Sequence, residues 1–205
     1  MKRAKLFHPV VFDDQKWAAV YYKRNVKAIT KVGQTYVQLL QASGFTGGNI
    51  LDVGCGFGAV AIAIARAFPK TEIMGVDLAA PLLEMARRDA ERAGVGNQVT
   101  FQTGDATKLD FENDTFDVVI NTFLLHIVQE PVTMLNELER VTKPDAKLMI
   151  TDLRRTWLGL LIKTISTSFT QDEALDIIRA SKLRPGIPFK GSYWWSYMAG
   201  IKTTD

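Results

Sequence analysis

ILDVGCGFG, residues 50–58, sets three glycines within five positions at the end of a short apolar run that carries one acid, Asp52. An apolar run that stops at glycines reads as a buried strand making a sharp turn. The next stretch, 58–68, is apolar and rich in alanine, a helix pattern. Strand, glycine loop and helix in that order let the backbone approach a ligand closely while the first NH groups of the helix point at it.

Outward from this loop, short apolar runs alternate with helical patterns. Strands are predicted over 49–53, 72–77, 99–102, 116–121 and 146–152, and helices over 58–68, 81–93 and 131–141. The order βαβαβ, then βαβ, is that of a parallel sheet with crossover helices. Upstream, Asp13 or Asp14 would cap a helix through WAAVYYKRNVKAI, and a second segment, QTYVQLLQA, ends at Ser43-Gly44. Downstream, 157–165 is an apolar amphipathic stretch. Thr170 and Glu173 form a capping box for a helix through Leu183, and GSYWWSYMAGIK closes the chain as a hairpin edge of one or two strands. No linker is visible, so the expectation is one domain over 1–205: a helical cap (1–44), a ligand-binding core (45–153), and an insert with C-terminal helix and strands (154–205).

Composition narrows the class. Of 205 residues, 47% are hydrophobic and 23% charged, the balance of a globular domain. No apolar run reaches the ~18 residues of a membrane span, and the N-terminal apolar stretch is too short for a signal peptide, so the expected location is cytoplasmic. One cysteine, Cys55, excludes an internal disulfide, and two histidines, His8 and His126, make no metal-ligand cluster. The net charge of +3 is uneven. Residues 1–31 carry eight Lys/Arg against two Asp/Glu, 153–205 carry eight against four, and the middle is acidic.

Gly54, Gly56 and Ala59 also satisfy the G-x-G-x-x-[GA] pattern of dinucleotide enzymes. Asp52 argues against that reading, because a pyrophosphate would meet a negative charge two residues before the first glycine. A carboxylate there suits a cationic group. Asp77 ends the second strand, placed for two ribose hydroxyls, and Asp105 in TGDATKLDF follows the third, where an adenine amino group would be read.

The ordered set ILDVGCGFG, IMGVDLA, TGDATKLDF, FDVVINTFLLH and LERVTKPDAKLMITD resembles the class I S-adenosylmethionine-dependent methyltransferases over residues 45–153. The resemblance implies an α/β fold with a doubly wound, mostly parallel seven-stranded sheet, helices on both faces, and S-adenosylmethionine as cofactor. It further implies that Asp52, Gly54, Cys55, Gly56 and Gly58 surround the methionine part. Asp77 would bind the ribose, Leu78 would lie against the adenine, and Asp105 and Ala106 would hold the adenine edge. Asn121 and Thr122 end the fourth strand, where methyl donor and acceptor meet. His126 is the candidate catalytic residue, as orienter of the acceptor or as its base, with a half-buried structural histidine as the other reading. Cys55 has no base partner to make it a nucleophile.

Absent residues remove several subclasses. The [DNS]-P-P-[YFW] motif of amino-methylating nucleic-acid enzymes is replaced by Asn121-Thr122-Phe123-Leu124, and neither a Pro-Cys thiol nor a cysteine cluster is present. Of the acids that hold magnesium in catechol-type enzymes, only Asp152 is suitably placed. The expectation is metal-independent transfer to an O, N or C nucleophile of a small metabolite. The alternatives are a non-catalytic cofactor-binding sensor or partner subunit and, more weakly, an RNA or protein methyltransferase; nucleic acid is disfavoured for want of an RNA-binding module. Substrate contacts are expected from the two basic ends, through Trp17, Tyr21 and Tyr22 and through Arg154, Arg155 and Trp157. Together these would form a positive rim that draws in an anionic acceptor.

Overall fold

In the computed structural model, which describes Arg3, residues 14–160 and residues 162–200, the glycine loop sits between β1 (Gly48–Val53) and α2 (Ala59–Ala67). Before it runs α1 (Gln15–Ala42). After it come β2 (Thr71–Asp77), α3 (Ala80–Arg92), β3 (Val99–Thr103), β4 (Phe116–Thr122), α4 (Pro131–Val141) and β5 (Thr142–Leu153). A 3-10 turn (Trp157–Leu160), α5 (Lys163–Thr167), α6 (Gln171–Ala180), β6 (Ile187–Lys190) and β7 (Trp194–Ala199) complete the described chain. The seven strands form one sheet in the order β3-β2-β1-β4-β5-β7-β6. β1 to β5 are parallel, and β7 and β6 form an antiparallel hairpin on the β5 edge.

Strand periodicity sorts side chains into two layers. Ile50, Val118, Ile120 and Met149 point to the layer built with α1, α2 and α3, where Leu40, Ile64 and Leu83 meet them. Leu51, Val119, Leu148 and Ile150 point to the opposite layer, against Leu135 and Leu138 of α4 and Ile178 of α6. Apolar side chains on both faces make β1 and β4 the central strands of a doubly wound sheet, and strand order reverses between them.

Three local expectations are corrected. The two segments predicted between 15 and 43 are one 28-residue helix, capped by Asp14, whose carboxylate accepts from the NH groups of Lys16 and Trp17. Gly33, between the two predicted segments, lies mid-helix because α1 crosses α2 there; a Cβ on it would come within 2.9 Å of the Ala63 Cβ. The stretch 157–165 is divided into the 3-10 turn and the start of α5. The capping box of α6 forms as expected, but the helix stops at Ala180, where the Ser181 hydroxyl donates to the Ile178 carbonyl and the Lys182 NH donates to Asn136. Asp13, His8 and the last residues of GSYWWSYMAGIK lie outside the described residues. No described helix is long and apolar enough to cross a membrane.

Candidate functional site

β1 delivers Asp52 and β4 delivers Asn121 and Thr122 to the crevice where strand order reverses, with Val53 and Asn121 in register. The Asn121 amide donates to the Val53 carbonyl at 3.0 Å and staples the two strands, while its own oxygen has no partner. The Asp52 carboxylate is 1% exposed, and neither of its oxygens has a hydrogen-bond partner. Burial, reinforced by the nearby Asp77 and opposed by the approach of the Ala61 NH, pushes its pKa up to about 7.

Gly54, Gly56 and Gly58 all adopt positive φ. At Gly56 this aims the NH at Asp77, whose Oδ2 accepts it at 2.8 Å, and a Cβ there would find nothing nearer than 3.9 Å. The space above Gly56 is open. Oδ1 of Asp77 accepts from the Ala79 NH at 2.9 Å, so this acid organises the loop and the entry to α3 together. Burial raises its pKa against those two donors. The Cys55 sulfur packs against Gly75, and burial pushes its thiol well up, which agrees with a packing role.

Tyr21, Ile29, Asp52, Gly54–Phe57, Val60, Thr122 and Phe123 line a cavity of about 30 Å³. Tyr21 and Tyr22 of α1 pack on the Phe57 ring at 5.8 and 5.1 Å between centroids. Burial and Asp77 push the Tyr21 hydroxyl up to about 12. Tyr22 donates to Asp89 on α3, which ties the helices across the loop. Sequence reasoning missed Ile29, Val60, Phe123 and Tyr36. Tyr36 meets the Thr122 hydroxyl at 3.2 Å from inside α1. Phe123, a non-glycine residue at φ 57°, stores backbone strain beside the cavity; its position directly after the β4 end was the one available signal.

Other expected residues lie elsewhere. Leu78 follows β2 and is largely exposed. Asp105 is exposed, and its Oδ1 accepts from the Thr107 NH and hydroxyl; Ala106 is buried against the α4 layer. Gly58 abuts Phe101 and Ala86, a helix-packing position. His126 is buried beyond β4, its Nδ1 2.6 Å from Oδ1 of Asp152 and its backbone NH 2.8 Å from Oδ2. The Leu153 NH also donates to Asp152. Arg3 donates to the carbonyls of His126 and Thr167 and covers the Phe169 ring. Asp152 has therefore a fixed partner set that its sequence position did not announce.

The C-terminal contribution to the positive rim is corrected. Arg154 donates to the carbonyls of Gly191 and Ser192 and fastens the β6–β7 turn. Arg155 is buried, donating to the Ser168 carbonyl and pairing with Glu173. Both guanidiniums are committed to the fold because β5 emerges between the terminal hairpin and α6. Trp17 and Trp157 are exposed, at 57% and 71%. Among the described residues no group of three or more His, Cys, Asp or Glu is arranged to hold a metal ion.

Residues 50–145 match the family model described as "Methyltransferase domain". A demethylmenaquinone methyltransferase of Lactiplantibacillus plantarum is 34% identical over 117 residues, 57% of this chain and 48% of that protein. A ubiquinone biosynthesis O-methyltransferase of Actinobacillus pleuropneumoniae is 27% identical over 163 residues, 76% of this chain and 68% of that one. The chain thus spans about half the length of the first of these relatives. In fold, it is similar to a SAM-dependent methyltransferase of Aquifex aeolicus, with a TM-score of 0.66 at 23% identity over 73% of this chain and 80% of that one. Residues 50–145, just under half of the chain, thus match a methyltransferase domain, and the fold that carries them is that of the class I S-adenosylmethionine-dependent methyltransferases.

Proposed function

We propose that the chain transfers the methyl group of S-adenosylmethionine to an oxygen, nitrogen or carbon nucleophile of a small, largely apolar acceptor, without a metal ion. Asp52 is the observation that carries this reading. A buried carboxylate with no partner is costly unless a cation completes it, and the α-ammonium of the cofactor is such a group. The other donors fit as well. Gly56 leaves open space for the methionine part with Gly54 and Gly58 shaping the turn. Asp77 retains lone pairs for the ribose hydroxyls after accepting its two NH groups. Leu78, Asp105 and Ala106 would bound the adenine.

Once bound, the cofactor supplies a methyl group on a positive sulfur, so the protein's contribution is alignment and exclusion of water. A cavity of about 30 Å³ is far below the ~300–1,000 Å³ of a small-molecule pocket, so the Tyr21 end of α1 must shift to admit the ligand. Tyr21 and Phe57 would then exclude water. Asn121 and Thr122 would face the transfer point. His126 is the acceptor-side base in this reading: Asp152 accepts from Nδ1, which leaves Nε2 to take a proton.

Acceptor class rests on the named activities of the relatives, which include quinone and alkaloid methyltransferases. Exposed Trp157 beyond β5 suits an apolar ring. An anionic preference has lost its two arginines, and Asp152, the acid available for magnesium by position, is occupied by His126 and two backbone NH groups. The test is transfer of labelled methyl from S-adenosylmethionine to a panel of hydroquinones, phenols and amines. At least one acceptor should be labelled, and His126→Asn should lower kcat by ~100-fold with unchanged cofactor affinity. Tight cofactor binding with no transfer to any acceptor would instead identify a non-catalytic sensor.

A further inference from the structure

α1 holds five cations, Lys16, Lys23, Arg24, Lys27 and Lys31, and not one Asp or Glu in its 28 residues. All five are exposed, and none forms an ion pair with a described residue. At 100° per residue they fall on one stripe opposite the buried face of Ala18, Gly33, Tyr36 and Leu40. The stripe extends over about four turns, roughly 22 Å at 1.5 Å per residue. The nearest acid along the sequence, Asp14, is engaged as the N-cap, and Asp89 of α3, which reaches α1, accepts from Tyr22.

A second feature meets the start of this stripe. Ala18 packs with Phe57, Ala79 and Leu82, so the first turn of α1 lies at the carboxyl edge of the sheet, beside the loop that carries Leu78. Large apolar side chains stand exposed along that edge. Trp17 and Val20 come from α1, Leu78 follows β2, and Trp157, Leu160 and Ile162 follow β5, with Leu160 75% exposed. Scattered apolar exposure is ordinary; grouping of two tryptophans with aliphatic side chains at one edge, next to an all-cationic stripe, is not. Indole rings favour the boundary between headgroups and acyl chains, and lysines beside them reach anionic headgroups.

From this juxtaposition we infer that the N-terminal half of α1 and the carboxyl edge of the sheet form a docking surface for an anionic lipid bilayer. Trp17 and Trp157 enter the interface and the α1 cations neutralise lipid phosphates. The chain rests on the surface without crossing it, and the mouth of the crevice, which lies on this same edge, faces the lipid. The inference stands apart from the methyl-transfer reading, since lipid binding is measured without cofactor or acceptor.

The experiment is co-sedimentation of the full chain with phosphatidylcholine vesicles and with vesicles containing one-third phosphatidylglycerol, at 0.1 M and 1 M salt. Binding is expected to the anionic vesicles only, and to fall at 1 M salt, where the Debye length shrinks from ~10 Å to ~3 Å. Lys23→Ala/Lys27→Ala/Lys31→Ala should lower partitioning by on the order of 100-fold, at about fivefold per cation, with an unchanged melting temperature. Brominated acyl chains should quench tryptophan fluorescence in the wild type, and Trp17→Phe/Trp157→Phe should lose that quenching. Equal binding to neutral vesicles, or full binding by the lysine variant, overturns the inference. So does absence of vesicle binding in a chain that holds a single-stranded RNA oligonucleotide through the same lysines, which would assign the stripe to nucleic acid.

Discussion

Asp52 and Asp152 stand near the carboxyl ends of β1 and β5, equally removed from solvent at 1% and 0% exposure, and their surroundings are opposite. Asp152 accepts from the His126 ring, the His126 NH and the Leu153 NH. Asp52 accepts no hydrogen bond of good geometry; the Ala61 NH approaches it without making one. A folded chain tolerates a buried acid when donors surround it, and an acid left without donors marks the place where a ligand completes the structure. Asp152 therefore belongs to the fold and fixes a histidine. Asp52 is the acid that the proposed function gives to the cofactor.

Substitutions at the two positions should move stability in opposite directions. Asp52→Asn should weaken binding of S-adenosylhomocysteine by at least ~100-fold, since removing one partner of a buried pair costs about 3–5 kcal/mol. The same variant should melt several degrees higher than wild type at pH 8 without ligand. A carboxyl whose folded pKa is raised contributes stability that is complete below about pH 4 and disappears as pH climbs toward 7, and asparagine has no such loss. A variant that melts lower at pH 8 would mean that Asp52 is satisfied after all. Asp152→Ala should instead destabilise by about 2–4 kcal/mol, because it leaves the His126 ring, the His126 NH and the Leu153 NH without their acceptor. Thermal denaturation reads both.

Asp77 falls between the two, with one donor on each oxygen. Asp77→Ala should cost roughly tenfold to a hundredfold in cofactor affinity, about 1.5–3 kcal/mol for charge-assisted hydrogen bonds. Calorimetric titration that returned unchanged affinity in a folded variant would remove it from the site. Arg154→Ala marks the small end of the scale. Loss of two bonds to the hairpin turn should cost about 0.5–1.5 kcal/mol of stability and leave the acceptor KM unchanged.

The same contrast explains what could be read from the amino acids. Strand and helix periods, the glycines and Asp52 and Asp77 are local signals, and they located the sheet and its crevice to within a few residues. The continuity of α1 through Gly33 was not legible because the reason for that glycine is not local: it admits α2 against α1. Arg154 and Arg155 looked like ligands for an anion because a doublet after a strand end carries no sign of its partners, and Glu173 lies eighteen residues away on α6. The link between His126 and Asp152 joins the ends of two strands across 26 positions and was invisible for the same reason.

The central claim is that Asp52 awaits the ammonium of the cofactor, and proton release on binding tests it most directly. With its pKa pushed up to about 7, the Asp52 carboxyl holds its proton at more acid pH and must ionise to pair with a cation. The measurement is calorimetric titration of the wild type with S-adenosylhomocysteine at pH 6, in two buffers of different ionisation enthalpy, with NAD as the control ligand. One-to-one binding with release of about one proton is expected, with the release absent in Asp52→Asn and NAD inert. Equal heats in the two buffers, or tight binding of NAD with none of S-adenosylhomocysteine, would contradict it.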